Sequence, residues 1–99
     1  LWFAAHSARE FGARRVVLVA PYLAYMRQDR RFQPGQAVSA PLFARFLDGA
    51  FDGLVSVDPH LHRIERLGAI YRMPTEHIAA APAVAAWIGE NVADGILIG

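Results

Sequence analysis

The residues able to do chemistry fall into two clusters. In the first, Arg27, Gln28, Asp29, Arg30 and Arg31 fill five consecutive positions, with Tyr22, Tyr25 and Phe32 close by. Guanidinium groups at that density suit a polyphosphate, because arginine offers planar, bidentate donors to phosphate oxygens. A solvated basic loop is the other reading of the same residues. The second cluster is Asp58-Pro59-His60-Leu61-His62. Asp58 and His60 stand two apart, a spacing that suits an extended loop better than one face of a helix. A hard divalent cation such as Mg²⁺ prefers carboxylate, water and phosphate oxygens, so Asp58 is the stronger ligand and His60 the weaker. A turn or capping role for Asp58, and hydrogen-bonded loop roles for His60 and His62, are the alternatives.

Each cluster follows an apolar run that reads as a buried strand. Arg15 to Ala20 is β-branched and continuously apolar after its first residue, the pattern of a parallel strand covered on both faces. Pro21 cannot donate to a ladder and marks the exit into the arginine-rich loop. Phe51 to Val57 is the second strand, and it runs directly into Asp58. In open α/β sheets ligands bind beyond the carboxyl ends of the strands, which is where both clusters fall.

The remaining elements are expected to carry these strands. Leu1, Ala4, Ala5, Ala8 and Phe11 recur at helical spacing, and Gly12 is a C-terminal stop. His6, within that helix, reads as a surface or half-buried side chain. Pro34-Gly35 is a turn, and Ser39 is the expected N-cap of a helix over Ala40–Asp48, with Pro41 in its first turn. Leu42, Phe43, Phe46 and Leu47 form the expected core stripe of that helix. Arg63 to Tyr71 reads as a short irregular helix broken near Gly68, and Glu76 to Ala80 as an extended piece with His77 an exposed loop residue. Ala81 to Asn91 reads as a small-residue helix with Trp87 in core or interface. Gly95 to Gly99 is the expected last strand. Helix and strand alternate, so the fold class is α/β with a parallel sheet.

Composition narrows the function. With 99 residues the chain makes one small domain at most, and 55% apolar and 19% charged residues mark it as globular. A net charge of +1 argues against a nucleic-acid binder. All ten basic residues are arginine. The count of zero cysteines excludes a disulfide framework, a thiolate metal site and a cysteine nucleophile, and fits a cytoplasmic protein. No apolar run approaches the roughly 20 residues that cross a bilayer, and the opening lacks the pattern of a signal peptide. The chain opens without Met on large apolar residues and ends in a strand-like run, so an internal segment of a longer protein is expected.

Together the two clusters resemble the ribose-phosphate pyrophosphokinases, or phosphoribosyl pyrophosphate synthetases. In that family a strand enters a P-Y-x-x-Y-x-R-Q-D-[RK]-[RK] loop, a helix follows, and a second strand ends in D-x-H. The matching residues run from Pro21 and Tyr22 through Tyr25, Arg27, Gln28 and Asp29 to Arg30 and Arg31, and then Asp58-Pro59-His60. The resemblance covers nearly the whole chain, and the R-F-x-P-G-x-x-x-S and D-P-H-x-H forms look closest to the short, archaeal-like members. It implies a partial domain of the type I phosphoribosyltransferase fold, running up to the start of a second domain. It also implies transfer of the β,γ-diphosphoryl group of ATP to ribose 5-phosphate, with Mg²⁺, by a homo-oligomer. By match, in the ATP-binding loop Arg27 and Gln28 would contact the ATP and Asp29 would help order the loop, and Asp58 and His60 would lie at the Mg²⁺–triphosphate site.

The family's acidic ribose-5-phosphate stretch and its loop with a catalytic lysine and arginine have no counterpart in residues 1–99. No catalytic residue is therefore assigned, and the segment alone is expected to be inactive. Pro59, His62 and Phe32 depart from the family pattern. A non-catalytic regulatory relative and a phosphoribosyltransferase are the rival readings.

Overall fold

The computed structural model describes residues 1–96 and residue 98. Helix α1 (Trp2–Glu10) leads to strand β1 (Val17–Ala20), helix α2 (Ser39–Asp48) and strand β2 (Gly53–Val57). A 3₁₀ turn (Leu67–Ala69), strand β3 (Thr75–Ile78) and helix α3 (Ala81–Asn91) complete the described elements. The three strands lie side by side in the order β1-β2-β3 and all run parallel. The α/β reading holds.

Register fixes which side chains share a face. Leu18 pairs with Leu54 and Ala20 with Ser56 between β1 and β2, while Leu54 pairs with Thr75 between β2 and β3. Partners in a parallel ladder point the same way and neighbours alternate. Leu18, Leu54 and Ser56 thus face the core with Ala5 of α1 and Ala40, Ala44 and Leu47 of α2. Burying a leucine such as Leu47 or Leu54 stabilises the fold by roughly 1.5–3 kcal/mol.

The opposite face departs from the expectation of a strand covered on both sides. Val19 is 67% exposed, and Val17 and Ile78 are open as well. Both helices that contribute to the core lie on the Leu18 side, and α3 buries none of its residues. Trp87 is accordingly 60% exposed rather than a core residue.

Helix α1 ends as its glycine suggests. The Gly12 N–H donates to Arg9 O at 2.9 Å and the Ala13 N–H to Ala8 O at 2.9 Å, with Gly12 at φ 96°. That doubly bonded terminus needs a left-handed residue, which glycine supplies without a Cβ clash. Of the apolar stripe expected on α1, only Ala5 is buried, and Leu1 and Phe11 are exposed. His6 is half-buried and stacks on Trp2 at 3.7 Å between ring centroids.

Helix α2 differs from the sequence reading at both its cap and its stripe. It begins at Ser39, so the N-cap position belongs to Val38, and Ser39 Oγ donates to Gln28 Oε1 at 3.1 Å instead of capping the helix. The buried stripe is Ala40, Ala44 and Leu47, while Leu42 and Phe46 are exposed and Phe43 is partly buried. Alanines at i and i+4 share the buried side of the helix, and the larger side chains lie on its flanks.

In the last part of the chain the extended piece expected over Glu76–Ala80 is strand β3, paired in the sheet, and α3 spans the expected Ala81–Asn91. The irregular helix over 63–71 contracts to the 3₁₀ turn at Leu67–Ala69. The strand expected over Gly95–Gly99 includes Leu97 and Gly99, which lie outside the described residues, and 95, 96 and 98 have no strand structure. No helix among the described residues is long and apolar enough to cross a membrane.

Candidate functional site

The arginine-rich loop leaves β1 and is pinned by its own apolar residues. Leu23 and Met26 are buried, and the Tyr25 ring packs on Phe43 of α2 at 4.8 Å between centroids. Tyr25 adopts φ 65°, a left-handed geometry that is uncommon for a bulky side chain and turns the chain sharply at that point. With Leu23 and Met26 inserted into the core, Tyr22 and Arg27 are left on the outside.

The loop's three matched polar residues take different directions. Arg27 lines a cavity of about 160 Å³ together with Tyr22, Asp58 and His60. Gln28 is turned towards α2: its side chain accepts from Ser39 and its carbonyl accepts the Ala40 N–H at 3.1 Å. Asp29 is turned inwards, and its carboxylate receives Arg63 Nη1 at 3.0 and 3.2 Å.

Asp58 sits at the tip of β2 at φ 40°, a conformation that aspartate tolerates better than most residues. Its N–H donates to Ile78 O at 3.0 Å, and its Oδ2 accepts the Ala80 N–H at 3.1 Å. One oxygen of Asp58 thus tethers the backbone at Ala80, the residue before α3. The other oxygen, Oδ1, lies 3.9 Å from His77 Nε2, too far for a hydrogen bond, and the side chain is 56% exposed. His60 and His62 are both exposed, with ring centroids 5.9 Å apart.

Parallel pairing of β1 with β2 explains why the two clusters meet. Ala20 and Ser56 are partners, so the segments that follow them leave the sheet at the same end and side by side. Arg27, Asp58 and His60 consequently border one cavity, while Gln28 bonds to Ser39 and Asp29 to Arg63 outside its lining. Among the described residues, no group of three or more His, Cys, Asp or Glu could hold a metal ion unaided. The donor set still fits Mg²⁺, which is commonly held by one or two carboxylates plus phosphate oxygens and water. Asp58 Oδ1 is the oxygen available for that purpose.

Two neighbours of the site carried no signal in the sequence. Arg63 reaches Asp29 across 34 positions, and nothing in its spacing or type singles it out from the other arginines. His77 reaches Asp58 only because β3 pairs with β2, a pairing that the reading of its segment as a loop did not include.

Comparisons with known proteins bear on the family and the fold. The model of the N-terminal domain of ribose phosphate pyrophosphokinase matches residues 1–50. The ribose-phosphate pyrophosphokinase of Methanopyrus kandleri is 40% identical over 86% of this chain and 28% of its own length. That of Methanobrevibacter smithii is 32% identical over 99% of this chain and 32% of its own. The crystal structure of phosphoribosylpyrophosphate synthetase from Mycobacterium smegmatis superposes with a TM-score of 0.77 at 29% identity, covering 94% of this chain and 30% of that one. The chain thus spans about three-tenths of the length of the relatives it matches. With the family model matched over half the chain, and with relatives and fold in agreement, the chain belongs to the ribose-phosphate pyrophosphokinase family.

Proposed function

We propose that residues 1–99 are the nucleotide-binding part of the N-terminal domain of a ribose-phosphate pyrophosphokinase, running up to the start of its second domain. In the full-length, homo-oligomeric, cytoplasmic enzyme the β,γ-diphosphoryl group of ATP passes to ribose 5-phosphate. The anomeric hydroxyl oxygen bonds to the β-phosphorus and loses its proton. The bond from that phosphorus to the α,β-bridging oxygen breaks, and AMP leaves. The observation that carries this reading is the single cavity bordered by Arg27, Asp58 and His60 at the carboxyl ends of β1 and β2.

Each residue has a physical task in this scheme. Displacement at phosphorus is accelerated chiefly by positioning and charge neutralisation. Arg27 presents its guanidinium to the phosphates of ATP. Gln28 and Asp29 hold the loop that presents it, through Ser39 and Arg63. Asp58, with His60 beside it, would hold Mg²⁺. When bound, the ion supplies positive charge to the phosphate oxygens. The ribose 5-phosphate site and the catalytic lysine–arginine loop are assigned to sequence outside residues 1–99.

The test is product formation. Full-length protein given ATP, Mg²⁺ and ribose 5-phosphate is expected to form AMP and 5-phosphoribosyl 1-diphosphate in equal amounts, and residues 1–99 alone to form neither. A full-length protein that binds ATP without turnover is the regulatory relative. One that consumes the diphosphate donor instead of making it is a phosphoribosyltransferase. Either result overturns the proposal.

A further inference from the structure

We infer that Arg63 is a positioning residue for the ATP loop, acting as a strut between the β2 tip and Asp29. The inference rests on the nucleotide-site reading above and adds to it a residue that lies outside both motifs.

The geometry is specific. The Asp29 side chain is 0% exposed, and Arg63 Nη1 sits astride both of its carboxylate oxygens, at 3.0 and 3.2 Å. Arg63 itself is 37% exposed, so the pair has one enclosed end and one open end. An enclosed carboxylate without a partner is costly, and the backbone that carries it moves to regain water. Asp29 is two residues from Arg27, and Arg63 is three residues beyond His60. The ion pair therefore ties together the two loops that border the cavity, at a point behind the cavity rather than within it.

Phe32 fixes the strut's direction. The Arg63 guanidinium carbon lies 5.7 Å from the centre of the Phe32 ring, and that of Arg30 lies 4.9 Å from it. Both distances are within the range of cation–π attraction. The aromatic side chain at position 32, one of the departures from the family pattern, thus has a local explanation as the surface that steadies two guanidinium groups.

This arrangement makes a prediction that simple packing does not. Because one nitrogen makes both contacts and no two-nitrogen fork is used, a lysine ammonium keeps the charge and donor that Asp29 needs and can still face the Phe32 ring, whereas a neutral glutamine keeps no charge. In the full-length protein, ATP affinity measured calorimetrically with Mg²⁺ present should fall about tenfold in Arg63→Gln, as for the loss of a supporting contact behind a ligand-holding side chain. Arg63→Lys should stay within about threefold of the parent, a fraction of the tenfold that 1.4 kcal/mol represents. The KM for ribose 5-phosphate should be unchanged in both. Asp29→Asn removes the same pair from the other side, so adding Arg63→Gln to it should cause no further loss. Parental affinity in Arg63→Gln, or equal weakening by lysine and glutamine, overturns the inference. Should Arg63→Gln not fold, parental ATP affinity in Asp29→Asn overturns it instead. Failure of the parent protein to bind ATP at all is a different result and refutes the nucleotide-site reading itself.

Discussion

Asp58 and Ala80 are joined at 3.1 Å by a hydrogen bond from the Ala80 N–H to Asp58 Oδ2, which leaves Oδ1 at the cavity without a hydrogen-bonded partner among the described residues. One carboxylate therefore has two separable tasks, one in holding the start of α3 and one in binding a cation. Substitution can divide them.

Asp58→Asn keeps an oxygen for the Ala80 N–H and tolerates the left-handed backbone, so stability should change by less than about 0.5 kcal/mol. Asp58→Ala loses the acceptor and strains the backbone at φ 40°, and should cost about 1–3 kcal/mol. In full-length protein both variants should lose Mg²⁺-dependent AMP formation. Denaturant titration beside a Mg²⁺ titration of the rate separates the two tasks. Parental turnover in Asp58→Asn would leave Asp58 as a backbone tether alone.

Tyr71 supplies a pH test remote from the site. Burial, and secondarily the nearby Asp48 carboxylate, push its phenol up to about 12 from an ordinary value of 10.0. The folded state thus holds the phenolic proton more tightly than the unfolded state does. The resulting stabilisation is complete below pH 10 and is lost as pH rises from about 10 towards 12, at up to roughly 1.4 kcal/mol per pH unit. The Tyr71 hydroxyl has no hydrogen-bond partner among the described residues. Tyr71→Phe should accordingly hold stability at neutral pH and flatten the alkaline decline. An alkaline decline of equal slope in Tyr71→Phe would contradict this account.

Ser56 is an enclosed polar residue of the sheet, with 0% exposure and no partner for its Oγ among the described residues. A buried hydroxyl without a partner forfeits its hydration for no return. Ser56→Ala should therefore leave stability unchanged or raise it by up to about 1 kcal/mol. A loss of more than about 1 kcal/mol on denaturant titration would mean that the hydroxyl is satisfied in solution.

Much of this was legible in the sequence because it is set locally. Gly12 as a helix stop, the β-branched run ending at Ala20, and the two polar clusters at strand ends follow from residue type and short-range spacing. Features set by distant partners were not. Ser39 bonds to Gln28, not to its own helix, because the loop before it folds back onto α2. The alanines at 40 and 44 are buried where the phenylalanines are not, because tertiary packing decides which side of the helix faces the core, a condition no helical periodicity encodes. The open Val17–Val19 face was unreadable for a similar reason: an apolar strand states that it should be covered, and not by what. The site itself divides the same way. Arg27, Asp58 and His60 stood out by motif, whereas Arg63 and His77 reach it only through tertiary pairing.

The central claim is that the loop after β1 and the tip of β2 form one pocket for ATP and its cation. It is tested most directly by the ATP affinity of Arg27→Ala in full-length protein, measured with and without Mg²⁺. Removal of charge-assisted contacts worth roughly 1.5–3 kcal/mol each should weaken binding at least about tenfold under both conditions. ATP affinity equal to that of the parent, with or without the metal, would contradict the account.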